Sequence, residues 1–163
     1  MRHRRGAHTA QRLSGMLALG ALLATLASCV QSYPIPRAPD GDPIEAAAAL
    51  PDAPDAVRNG DPESSCGVFV LGQGEVVPAD AVECLAAARA ANDAAGLAWS
   101  FPTTEGDPIV QFAVVTADSD VVTVYTTNAF DSYGGEPQWT KSSCSDIVAA
   151  TSLTGCPAPE PTD

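Results

Sequence analysis

Four cysteines, Cys66, Cys84, Cys144 and Cys156, constrain the fold of this chain more than any hydrophobic pattern does. They follow a segment built like a secretory signal: Arg2, Arg4, Arg5 and Arg12, then an uncharged run rich in Leu and Ala from Leu13 to Ala27. That run is about fifteen residues, short of the roughly 20 that cross a bilayer as a helix. An exported chain folds in an oxidising compartment, where an even set of cysteines in a small domain reads as a disulfide framework. Four cysteines allow three connectivities, and these spacings match no CxxC zinc pattern. The two histidines, His3 and His8, both lie in the signal. The remainder therefore offers no imidazole for a zinc site, a Ser-His-Asp triad or a Cys-His pair.

The fifth cysteine stands apart. Leu26-Ala27-Ser28-Cys29, directly behind the apolar run, resembles the lipobox of bacterial lipoproteins. The resemblance implies removal of residues 1–28 as a lipoprotein signal peptide, with cleavage between Ser28 and Cys29. It also implies a diacylglyceryl thioether on Cys29, carrying acyl chains of the palmitate kind. Two or three such chains give durable anchoring where one gives marginal binding. The expected location is the extracytoplasmic face of the bacterial cell membrane, with the membrane itself as a partner through this lipid.

Of 163 residues, those after the signal suffice for one modest domain and a spacer. The net charge of −12 understates their acidity, because four of the eight basic residues precede Leu13 and all 20 acidic residues follow Cys29. Four positive charges against 20 negative ones leave −16 from Cys29 onward. Such a surface repels nucleic acid and anionic headgroups, so no nucleic-acid partner is expected and the lipid must do the holding.

The segment 29–63 is rich in Pro, Ala and acidic residues and buries little, so it is expected to be a disordered tether reaching roughly 30 Å. Within it Asp42-Pro43-Ile44-Glu45 carries helix-start chemistry: a capping Asp, Pro at the first helical position and an early Glu. Pro51 stops that helix after about two turns, too short to persist unless it docks. A small α+β domain is expected over residues 64–157, an antiparallel sheet packed by one main helix and stapled by two disulfides, with a disordered tail at 158–163.

Gly67 to Leu71 reads as a buried strand. Pro78 to Ala95 reads as the main helix, with Ala81, Cys84, Leu85, Ala88, Ala91 and Ala95 in one stripe, Asp80 and Glu83 as a capping box, and Gly96 closing it. Cys84 on that stripe can reach Cys66 at the strand edge. The pairing expected among the three is therefore Cys66 with Cys84 and Cys144 with Cys156. Leu97 to Phe101 follows as a strand cut off by Pro102. Ile109 to Thr116 and Val121 to Thr127 form an antiparallel hairpin around Asp118-Ser119-Asp120. Asn128 to Pro137 is a loop, and Ile147 to Ala150 fits either a helix turn or a strand.

Cys66-Gly67, Gly72-Gln73-Gly74-Glu75, Glu83-Cys84-Leu85, Thr104 to Ile109, and Trp139 ahead of Cys144 are together similar to small uncharacterised lipoproteins of actinobacteria. The resemblance covers residues 66–144 and brings no activity with it. Glu105, Asp107 and Asp131 are the candidate polar site, since turn carboxylates at strand ends can converge, and a convergent pair with separated pKa values runs acid and base chemistry. Asp118 and Asp120 lack the surrounding EF-hand loop for calcium. No metal or other cofactor is expected. Tyr133 and Trp139, flanking Gly134-Gly135, would mark a contact patch if exposed. The primary expectation is a non-enzymatic envelope binding or interaction module. The alternatives are a carboxylate-dependent hydrolase at the cell surface and an accessory subunit of a membrane complex.

Overall fold

A computed structural model describes residues 39–60, 65–117, 119–152 and 156–162. The chain divides into two units, Met1–Pro34 and Ile35–Asp163, and every described residue belongs to the second. The signal segment, the lipobox, Cys29 and Asp118 lie outside the described residues.

The elements run in the order α1 (Pro43–Ala48), α2 (Asp55–Arg58), β1 (Ser65–Val70), α3 (Ala79–Ala91), β2 (Ala95–Pro102), β3 (Pro108–Val115), β4 (Val122–Thr127), β5 (Trp139–Cys144), α4 (Ile147–Ser152) and β6 (Glu160–Pro161). The six strands among the described residues make one sheet in sequence order. β1 and β2 are parallel and joined through α3, as parallel neighbours require a long crossover. Every other pair is antiparallel. The fold is thus α+β with a mostly antiparallel sheet. Among the described residues the helical part is shared among four helices, of which α3 is the longest at 13 residues.

Both faces of the sheet are covered. On one, Ala81 and Leu85 of α3 and Ile147 and Ala150 of α4 pack on Leu97, Trp99, Ala113, Val115, Val122 and Val124. On the other, Ile44 and Ala47 of α1, Ala53, and Val57 of α2 pack on Ala98, Val110, Phe130 and Trp139. This second layer corrects the expected extent of the tether, because residues 39–60 belong to the folded domain. The helix start read from the sequence is real, with Asp42 Oδ1 accepting the Ile44 N–H at 2.8 Å and Pro43 at the first helical position. A helix this short persists because its apolar side meets a sheet face that would otherwise be wet.

β2 is covered from both sides, so Leu97, Ala98, Trp99 and Ser100 are all buried and show no alternation. In β4, Val122 and Val124 point toward α3 and α4, while Thr123 and Tyr125 lie on the wetter face, as their spacing predicts. Helix α3 is shorter than expected. Asn92, in the left-handed conformation at φ 57°, ends it, and Ala95 and Gly96 belong to β2. Its buried stripe is also narrower, resting on Ala81 and Leu85 with Cys84 exposed. No capping box forms, and the Asp80 carboxylate accepts the Ala81 N–H instead.

Disulfides join Cys66 to Cys84 and Cys144 to Cys156, with Cα separations of 5.6 and 4.9 Å. The second carries the chain back beside β5. There Glu160–Pro161 pairs with Thr140 and Lys141, and Thr162 N donates to Trp139 O at 3.1 Å. Glu160–Pro161 is therefore an edge strand, which corrects the expectation of a disordered tail over residues 158–163. Arg89 of α3 ties two corners together, donating to Ser145 O at 2.9 Å and to Asp120 O.

Candidate functional site

The strand directions gather the β1–α3 loop, the β2–β3 turn and the β4–β5 loop at one end of the sheet. Loops held by a rigid scaffold are where binding residues concentrate. All three carboxylates singled out in the sequence lie here, yet two of them, Asp107 and Asp131, are spent on architecture. The β2–β3 turn is closed by Thr103 N to Asp107 O at 2.8 Å, with Gly106 at φ 96°. Asp107 Oδ2 reaches across to accept the Ser132 N–H at 2.8 Å. Asp131 Oδ1 accepts the Tyr133 N–H at 2.9 Å within its own loop. Asn128 closes that loop, donating to the carbonyls of Gly134 and Glu136 and accepting the Gln138 N–H.

The structure thus brings Asp107 to the Asp131–Ser132 stretch and leaves Glu105 exposed at the turn tip, hydrogen-bonded to neither. Two carboxylates that each hold a backbone amide act as loop braces. Among the described residues no group of three or more His, Cys, Asp or Glu is placed to hold a metal ion. The expected aromatic pair separates. Tyr133 is 78 % exposed on the loop, whereas Trp139 is 3 % exposed, under α1 and α2. The Trp139 Nε1 is buried without an acceptor, beside a cleft of about 460 Å³ that Asp55, Arg58 and Pro137 also line.

Sequence reasoning missed the feature best suited to holding a ligand. On the α3 side of the same sheet end lies an open groove of about 290 Å³, walled by Leu71, Val77, Phe101 and Val148 and floored by Trp99 and Gln111. Its rim carries Val76, 80 % exposed, and Val148, 66 % exposed. Trp99 and Gln111 are cross-strand partners, and Gln111 Nε2 donates to Thr126 Oγ1 at 3.1 Å in the next strand. Glu75 stands at the mouth with its carboxylate accepting the Gly72 N–H at 2.7 Å. The only hint in the sequence was a polar Gln111 where β3 otherwise carries apolar residues on both faces.

Compared with protein-family models, with curated proteins and with solved structures, the chain matches none. Its class is accordingly the one its own architecture defines: a small disulfide-stapled α+β domain with helices on both faces of the sheet.

Proposed function

We propose that this chain is an exported, lipid-anchored binding module on the extracytoplasmic face of a bacterial membrane, with the groove between the β1–α3 loop and α4 as its working surface. The observation that carries the reading is the groove itself: apolar walls and exposed valines on both rims, set over a buried amide. Concave, largely apolar sites with a few placed polar groups are the usual form of a ligand pocket. Two disulfides support an oxidising, extracytoplasmic compartment. The basic, apolar and small-residue order that ends at Cys29 supports the anchor. The hydrolase reading needs two carboxylates free to face one cleft, and Asp107 and Asp131 are bonded to loop amides.

Two experiments test it. Cys29→Ser followed by cell fractionation should move the product out of the lipid-associated pool, and full retention with envelope lipid would refute the anchor. A photo-crosslinking residue placed at 76 or 148 in cells should yield adducts that the same probe at Asp93 does not. Equal labelling from all three positions would refute the groove as a binding surface.

A further inference from the structure

We infer that the groove takes an uncharged, apolar small molecule that carries a hydrogen-bond donor, an N–H or O–H directed at the Gln111 side-chain carbonyl. The inference rests on the binding reading above and names the chemistry of its ligand.

Gln111 is 2 % exposed and lies in the groove floor. Its Nε2 is used by Thr126, and its Oε1 meets no donor among the described residues. Trp139 Nε1 is the one side-chain polar atom among the described residues that is sealed from solvent and unpartnered. The Gln111 carbonyl is therefore not sealed, and its access runs through the groove. A ligand that displaced water from this carbonyl without supplying a donor would leave the acceptor buried and unmet, which costs free energy, so a ligand with a donor is favoured over one without. The walls set the rest of the ligand. Leu71, Val77, Phe101 and the face of Trp99 offer carbon surface and no cation, so an apolar body fits.

Charge decides against an anion. The Glu75 carboxylate sits at the mouth, Arg58 and Arg89 are bonded elsewhere, Lys141 lies on β5 between Tyr125 and Glu160 and does not line the groove, and the chain from Cys29 onward is strongly acidic. An anionic ligand would pay repulsion with nothing to offset it. Exposed Val76 and Val148 flank the opening, which a soluble domain ordinarily covers with polar side chains unless something apolar passes between them.

The test uses N-phenyl-1-naphthylamine, a neutral fluorophore with one N–H, on the purified domain beginning at Pro39 and on the full chain from Cys29. Fluorescence should rise saturably, with a Kd of about 1–100 µM for a ligand of this size. Anilinonaphthalene sulfonate, the same ring system with a negative charge, should bind at least about tenfold more weakly at low salt. 1-Phenoxynaphthalene, which lacks the N–H, should compete about three- to tenfold more weakly, the worth of one hydrogen bond. Val76→Asp and Val148→Asp are surface changes and should each abolish the signal, while Val68→Asp, on the opposite face of β1, should leave it unchanged. In Trp139→Phe, where Trp99 is the sole tryptophan, the probe should still quench tryptophan emission.

Unchanged binding in both rim variants, or sulfonate binding as tight as the amine, overturns the inference. So does a dimer that Val148→Asp dissociates, because the groove would then be covered by a second copy. Crosslinks from positions 76 and 148 without saturable probe binding would remove this ligand class and leave the binding module standing.

Discussion

Replacing Ile44 by alanine separates a docked segment from a loose tether. Ile44 is 4 % exposed on α1 and packs in the cluster with Ala47, Val57, Val110 and Trp139. Truncating a buried Ile to Ala removes its transfer free energy and leaves a cavity, typically about 2–5 kcal/mol. A six-residue helix on the outside of the sheet can settle into part of that space, so the expected loss is about 2–3 kcal/mol. For a domain of this size that lowers the melting temperature by roughly 6–15 °C. Urea and thermal melts followed by tryptophan fluorescence are the assay, since Trp139 lies under this segment and Trp99 on the other side of the sheet. Glu45→Ala, an exposed position on the same helix, is the control. If Ile44→Ala shifts the melt no more than Glu45→Ala does, the segment contributes nothing and the second packed layer is refuted.

Arg89→Met should cost about 1–2 kcal/mol in urea denaturation through loss of its bonds to Ser145 and Asp120, and unchanged stability would mean those bonds are idle. Gly67 sits at φ 126° where the β1–β2 register shifts, and a Cβ there would come within 2.6 Å of the Phe69 ring; Gly67→Ala should therefore destabilise by about 1–3 kcal/mol, and a neutral result would refute that backbone geometry. Replacing Cys144 and Cys156 together by serine should cost on the order of 3 kcal/mol and expose the Thr162 amide to rapid hydrogen exchange, whereas retained protection would show that β6 pairs without the staple. Non-reducing peptide mapping should link residue 66 to 84 and residue 144 to 156, and any cross-link between these pairs would contradict the fold.

Where alternation or covalent constraint controlled the outcome, the sequence was readable. Val122 and Val124 against Thr123 and Tyr125 announce a half-wet strand, and the separations of 18 and 12 residues between paired cysteines suit local closure. The end of α3 escapes the sequence pattern because alanine continues a helix at no cost, and the stop is Asn92 in the left-handed conformation. Residues 39–60 read as a tether because composition describes what a segment can bury alone, not the sheet face it will meet. The sequence puts the carboxylates at 107 and 131 in turns at strand ends, but only the fold gathers those turns at one end of the sheet and commits their oxygens to Ser132 and Tyr133. The groove depends on Leu71, Gln111 and Val148 meeting from three distant stretches, and no local pattern records that meeting.

The two borders of the sheet differ, and the difference limits how copies can associate. Among the described residues β1 has a neighbour on one side only, and Val68 and Val70 stand exposed there, so this border can accept another strand. The opposite border ends in Glu160–Pro161, where the proline nitrogen has no hydrogen to donate and the Cys144–Cys156 link runs alongside. Filament growth by strand addition requires two receptive borders per subunit. With one, any association by strand addition through β1 would close on itself as a twofold pair and stop, so this edge on its own would favour pairs over fibres.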